Sequence, residues 1–309
     1  LDRAYHGANS MVAGLTHFPE CNDNFDVPLP HQHHIPSPWH FGANEGASPD
    51  EIISKSVAAL EDVVATIGVD QAAAFVCEPV MITAGVIVPP IGWLGAMADT
   101  CKRLGLFFMV DEVVTGFGRT GRMFACEWDD VEPDMMFLAK GMTSGYIPQG
   151  AALFSGEIFD AMTAAMDPET VFGHGFTHSG HPPSCAVTLK CIDLYLDLVD
   201  DSARLGERLL SRLSELAERE PWIGHERGRG LAAGVDLFDT TTDQQLDPGL
   251  EAPRRIRLEA HRRGLMTRLF DGDMFGFAPP LIITEDEVDE MVDIFGGAVE
   301  AVRTGKDEQ

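Results

Sequence analysis

The sequence predicts an α/β protein: a mostly parallel sheet in a large domain, with helices on both faces, followed by a small α+β unit. Three observations predict it. Short continuous apolar runs, suited to strands buried on both faces, alternate with stretches of helical periodicity. Strands separated by helices imply right-handed crossovers and hence parallel pairing. Beyond Pro221 the texture changes to shorter, more mixed segments. With 309 residues, 45% of them hydrophobic, the chain has material for one large domain or two ordinary ones.

Taken in order, Ser48-Pro49-Asp50-Glu51 is a capping box with proline at the first helical position, and apolar residues from Ile52 to Val64 follow at helical spacing until Gly68. AAFVCEPV (Ala73 to Val80) reads as a buried strand, and a helix near Leu94–Leu104 stops at Gly105. LFFMVDEVV (Leu106 to Val114) and DMMFLAK (Asp134 to Lys140) read as the second and third strands, and Ala151–Phe154 as a fourth. Helices are expected from Ser184 to Val199 and from Ser202 to Glu220. LAAGVDLF, a helix around Pro253–Arg263, GLMTRLF, MFGFAPPL and a capped helix from Thr284 make up the smaller unit, with Asp239 to Gly249 a polar loop. These segments place the large domain at residues 1–200 and the small one at 201–309.

Charge and cysteine usage narrow the function. The 49 acidic and 22 basic residues give a net charge of −27, which would repel nucleic acid. No apolar run reaches the roughly 18–20 residues of a membrane span. The opening LDRAYHG lacks the basic start and apolar stretch of a signal peptide. Six scattered cysteines without a C-x-x-C pair suit a reduced, cytoplasmic protein better than a disulfide frame or a zinc site. His31, His33, His34 and His40 have no metal-ligand spacing and are expected in a surface loop. GFGRTG lacks the spacing of a phosphate loop.

In open α/β sheets ligands gather at the carboxyl ends of the strands. Glu78, Asp111 and Lys140 each close a predicted strand there, and a charged group ending an apolar run needs a partner or a ligand. Only five lysines occur, so Lys140 stands out. A lysine in an apolar setting suits Schiff-base chemistry. Asp111 and Glu112 are neighbours on a strand, so one can face a site and the other the packing layer. On these residues alone, a metal hydrolase using Asp111, Glu112 and the histidines remains a weaker alternative.

The combination is more specific. CEPVMITAGVIVPP, VDEVVTGFGRTG with a lysine 29 residues after Asp111, PDMMFLAKGMTSGYIPQGA, HGFTHSGHPPSCA and FAPPLIITEDEVDEMV, with YHG near the start, run in one order along nearly the whole chain. Together they resemble the class III pyridoxal-phosphate aminotransferases, and most of all the omega-aminotransferases that use pyruvate. The resemblance implies a fold-type I transferase that moves an amino group from an amine or omega-amino acid to a 2-oxo acid such as pyruvate, with pyridoxal 5'-phosphate as cofactor. It makes Lys140 the cofactor-bearing lysine that later carries the proton, and Asp111 the partner of the pyridine nitrogen. Val113 would pack on one side of the ring and Tyr5 on the other, with His6 and Glu78 nearby. Thr177 would cap the cofactor phosphate of a neighbouring subunit, which implies a homodimer with shared active sites. Gly276 stands where relatives acting on ornithine or 4-aminobutyrate carry arginine, and Arg268 would instead take the substrate carboxylate. Family members carry a substantial stretch before YHG, including a glycine- and serine-rich turn that cradles the phosphate; the sequence is therefore expected to be a fragment. Aminomutase, racemase, decarboxylase or phospho-lyase activity on the same scaffold, or a non-catalytic remnant, are the alternatives.

Overall fold

The computed structural model describes residues 1–44, 46–164, 166–167, 173–270 and 273–307. After a short α1 (Pro19–Asn22), helix α2 (Pro49–Ile67) opens on the expected capping box: Ser48 and Glu51 exchange hydrogen bonds between side chains and backbone. Helix α3 (Trp93–Leu104) ends where Gly105 takes a left-handed conformation, φ 73°, that a side chain would resist.

These helices flank a four-stranded sheet in the order β1 (Ala74–Cys77), β2 (Phe107–Asp111), β3 (Met135–Leu138) and β4 (Ala151–Phe154). β1, β2 and β3 are parallel, as the crossovers require, with Val76 opposite Met109 and Asp111 opposite Phe137. β4 runs antiparallel to β3, because only twelve residues separate Leu138 from Ala151 and no helix crosses over between them. The strands are also shorter than the apolar runs suggest. β2 stops at Asp111 and β3 at Leu138, so Val113 and Lys140 lie in the turns that follow.

Phe75, Cys77, Phe108 and Val110 point to one face and bury against Leu60 and Val64 of α2 and Trp93 and Met97 of α3. Leu138 instead packs with Met142, Phe117 and Tyr195, the last from α5 (Pro182–Leu196). Coverage by helices on both faces is not complete: Phe107, Leu153 and Phe154 remain exposed. Helix α4 (Gly156–Ala164) follows β4.

The second sheet has the order β5 (Ile223–Arg229), β6 (Ala232–Leu237), β8 (Met274–Phe277) and β7 (Arg268–Phe270), antiparallel throughout. Helices α6 (Val199–Arg219), α7 (Ala252–Arg262) and α8 (Glu285–Arg303) pack on it through Leu209, Leu213, Ile256, Val292 and Phe295, all wholly buried. β5 has no apolar signature in GHERGR; its pairing with β6 and an irregularity between Gly224 and Arg227 define it. The Arg119 guanidinium donates to the carbonyls of Leu231 (2.9 Å) and Pro279 (2.6 Å), and Arg227 donates to Gly85 O. These bonds tie the two sheets together. No helix among the described residues is long and apolar enough to cross a membrane.

Candidate active site

The carboxyl ends of β1, β2 and β3 bring three sequence-distant groups to one edge. Asp111 ends β2 and is 8% exposed. Its Oδ1 accepts the Val113 N–H at 3.0 Å, and its Oδ2 lies 2.8 Å from His6 Nδ1. Each oxygen keeps a lone pair for a further donor. His6 is fixed in turn: its backbone N–H donates to Thr16 Oγ1, and that hydroxyl donates to Gly7 O. His6 Nε2 is buried without a partner among the described residues.

Glu78, just beyond β1, is 3% exposed and accepts the backbone N–H of Tyr5 at 3.0 Å. Burial is the main cause that pushes its carboxyl up to about 8, with the Asp111 charge adding to it; the Tyr5 bond and the Lys140 charge act in the opposite direction. Glu112 faces the other way, as alternation predicts. It is wholly buried, and it accepts the Cys126 N–H at 2.8 Å and the Thr115 hydroxyl. Glu112 belongs to the packing layer.

Lys140 is exposed, which corrects the expectation of a lysine in an apolar setting. The chain leaves β3 at Ala139 and turns at Lys140 with φ 42° into a short 3-10 turn (Lys140–Thr143), and this lifts the amine to the open edge of the sheet. The turn is held from behind: Tyr195 Oη donates to Gly141 O at 2.6 Å, and Phe117 packs so close to Gly141 that a Cβ there would lie 3.2 Å from its side chain. Sequence reasoning missed Tyr195, Phe117 and Thr16. Nothing in their local pattern separates them from core residues.

Thr177 lies apart from this cluster, exposed in the turn 177–180 before α5. Tyr5 is half-buried, and its backbone meets Glu78. Arg268, at the start of β7, is exposed and lies over the Phe270 ring, 5.6 Å from its centroid. It is directly opposite Gly276. Residues 271 and 272, within the MTRLFDGD segment, lie outside the described residues. Among the described residues no group of three His, Cys, Asp or Glu could hold a metal ion.

A buried carboxylate at the end of β2 and an exposed primary amine in the turn after β3, at the ligand-binding end of an α/β sheet, fit the two ends of pyridoxal phosphate. The donor-fixed Asp111 suits a pyridine N–H, and Lys140 suits the aldehyde carbon. This fold and this pair define the fold-type I pyridoxal-phosphate transferases. The chain belongs to the class-III aminotransferases: the family's profile, "Aminotransferase class-III", matches residues 1–299. That family depends on pyridoxal phosphate.

Among relatives, an uncharacterized aminotransferase of Sinorhizobium fredii is 35% identical over 99% of this chain and 66% of its own length. A probable gamma-aminobutyrate transaminase of rice, Oryza sativa, is 34% identical over 97% of this chain and 62% of its own. Among solved structures, the omega transaminase of Pseudomonas jessenii in complex with PMP superposes with a TM-score of 0.92 at 33% identity, covering 99% of this chain and 68% of that one. The chain thus spans 66% and 62% of the length of these two curated relatives, less than two thirds of each.

Proposed function

We propose that the chain carries the catalytic lysine and aspartate of an aminotransferase that moves an amino group from an amine or omega-amino acid to a 2-oxo acid such as pyruvate. The observation that carries this reading is the pairing of Asp111 and Lys140 at the ends of adjacent hydrogen-bonded strands, in a chain of this family. When bound, pyridoxal phosphate supplies an electron sink for the bond-breaking at the substrate carbon. Lys140 would hold the cofactor, and its Nζ would move the proton at the substrate Cα. Asp111 holds the proton on the pyridine nitrogen, and His6 fixes the carboxylate from its far side. Val113 and Tyr5 would pack against the cofactor ring, with Glu78 near its edge. Arg268 binds the carboxylate of pyruvate or an amino acid through its planar fork.

Thr177 acts on the cofactor phosphate of a partner subunit. Its exposure, with that of neighbouring Phe176 and of Leu189, Leu194 and Leu196 on α5, supports a homodimer whose sites are shared. The units 1–200 and 201–309 are its large and small domains. The six cysteines, all free, are in keeping with the cytoplasm.

Reduction with borohydride after addition of pyridoxal phosphate, followed by peptide mass mapping, places the adduct on Lys140. In Lys140→Ala both the adduct and all amine-to-pyruvate turnover are lost. Turnover retained in that variant sinks the assignment. Pyridoxamine phosphate accumulating on amine addition separates transamination from other reactions of such a scaffold.

A further inference from the structure

This inference rests on the reading of Arg268 as the carboxylate-binding arginine and concerns what holds that long, exposed side chain in place. Residues 268 and 270 share one face of β7, and Gly276 sits opposite Arg268 on β8. Phe270 lies diagonally across Gly276. A Cβ built there would fall inside contact distance of Phe270 Cε2 and 3.0 Å from Cζ, so the ring occupies the room that a glycine leaves. The ring packs against the buried cluster of Val80, Ile82, Val86 and Ala232, which Val114 also borders. Val80 and Val114 follow β1 and β2, just past the Glu78 and Asp111 that line the candidate site. The guanidinium carbon of Arg268 lies 5.6 Å from the ring centroid, within range of a cation–π contact.

We propose that Phe270 is a positioning residue for the substrate carboxylate: seated in the space over Gly276, its ring is the shelf on which the Arg268 guanidinium rests at the rim of the site. A guanidinium lying over a ring is shielded on its face and keeps its N–H edges free, and those edges bind a carboxylate. Gly276 then has a positive role. Any side chain there would displace the ring and release Arg268.

The test is labelling of Arg268 by phenylglyoxal, followed through its peptide by mass spectrometry, in the wild-type chain and in Phe270→Leu, Phe270→Tyr and Gly276→Ala, with and without pyruvate. Removal of the shelf speeds labelling in Phe270→Leu about two- to fivefold and weakens pyruvate protection by a similar factor, as the loss of one exposed cation–π contact dictates. Gly276→Ala behaves as Phe270→Leu does, while Phe270→Tyr labels at the wild-type rate. Where the chain turns over, KM for pyruvate rises by the same factor and kcat changes less. Wild-type labelling rates in both Phe270→Leu and Gly276→Ala, with circular dichroism showing both folded, overturn the shelf. If Phe270→Leu does not fold, the contrast between Gly276→Ala and Phe270→Tyr decides. Absence of pyruvate protection in the wild-type chain overturns the carboxylate-binding reading of Arg268 and the positioning role with it, and the labelling rates distinguish that failure from loss of the shelf alone.

Discussion

Glu78 and Glu112 are both buried carboxyl groups beside strand ends, yet their surroundings differ. Glu112 is satisfied by a backbone N–H and a hydroxyl, whereas Glu78 accepts one backbone N–H. In the unfolded chain Glu78 ionises above its ordinary 4.5; in the fold, burial keeps it protonated up to about 8. The native state therefore binds the additional proton in that window. The stability contributed by the protonated form is present below pH 4.5 and is lost as pH rises towards 8. Glu78→Gln keeps an oxygen for the Tyr5 N–H and removes the titration. Its thermal midpoint is expected to match the wild type near pH 4.5 and to exceed it at pH 8, by about 1–3 kcal/mol of stability, the usual penalty of a buried polar group left short of partners. Parallel pH profiles for the two chains would refute this origin. Glu78, Asp111 and Lys140 were all legible in the sequence, because a polar residue that ends an apolar run is conspicuous. The packing role of Glu112 was legible only as one half of an alternation.

Helices α6 and α8 show how an acidic chain uses its few cations. Beneath, Leu209, Leu213 and Leu216 are buried against Val292 and Phe295. Along the outside, Arg204 meets Glu285, Arg208 meets Glu285 and Asp289, and Arg212 meets Asp289 and Asp293. Arg204 and Glu285 lie in water, Arg212 and Asp289 are partly covered, and the exposed pairs are the ones screened most by salt. Replacing Arg208 by Ala is therefore expected to lower the thermal midpoint in dilute buffer and to have a smaller effect in 1 M NaCl, where the screening length falls to about 3 Å. An effect of equal size at both salt concentrations would point to lost packing of the arginine stem. At the start of α8, Thr284 accepts the Glu287 N–H in a capping box. Thr284→Ala is expected to cost about 0.5–2 kcal/mol in chemical denaturation. Both capping boxes stood plainly in the sequence, since they are purely local. β5 did not, because a strand with polar residues is defined by its neighbour and not by its own composition.

Across the whole molecule, the site and the proposed substrate arginine sit on different sheets, so their relation depends on what joins those sheets. Arg119 is central to that junction. Burial lowers its guanidinium to about 10, and it donates to two carbonyls of the second unit. Close beside it, Gly230 takes φ 56°, and a Cβ there would collide with the backbone of Thr120. Arg119→Ala leaves buried carbonyls unpaired and is expected to cost about 1–3 kcal/mol, read as a lower urea midpoint. An unchanged midpoint would show that Arg227 and its bond to Gly85 suffice.

The sequence by itself determined the alternation of strands and helices, the helix caps, the family and the residues that end the first three strands. These follow from local periodicity, local hydrogen bonding and the order of motifs. Tertiary structure alone decided that β4 runs antiparallel, that Lys140 emerges on an exposed turn braced by Tyr195 and Phe117, that His6 meets Asp111 across 105 residues, and that Gly276 makes room for Phe270. Each of these depends on which distant atoms come within a few ångströms of one another, and local pattern carries no record of that distance.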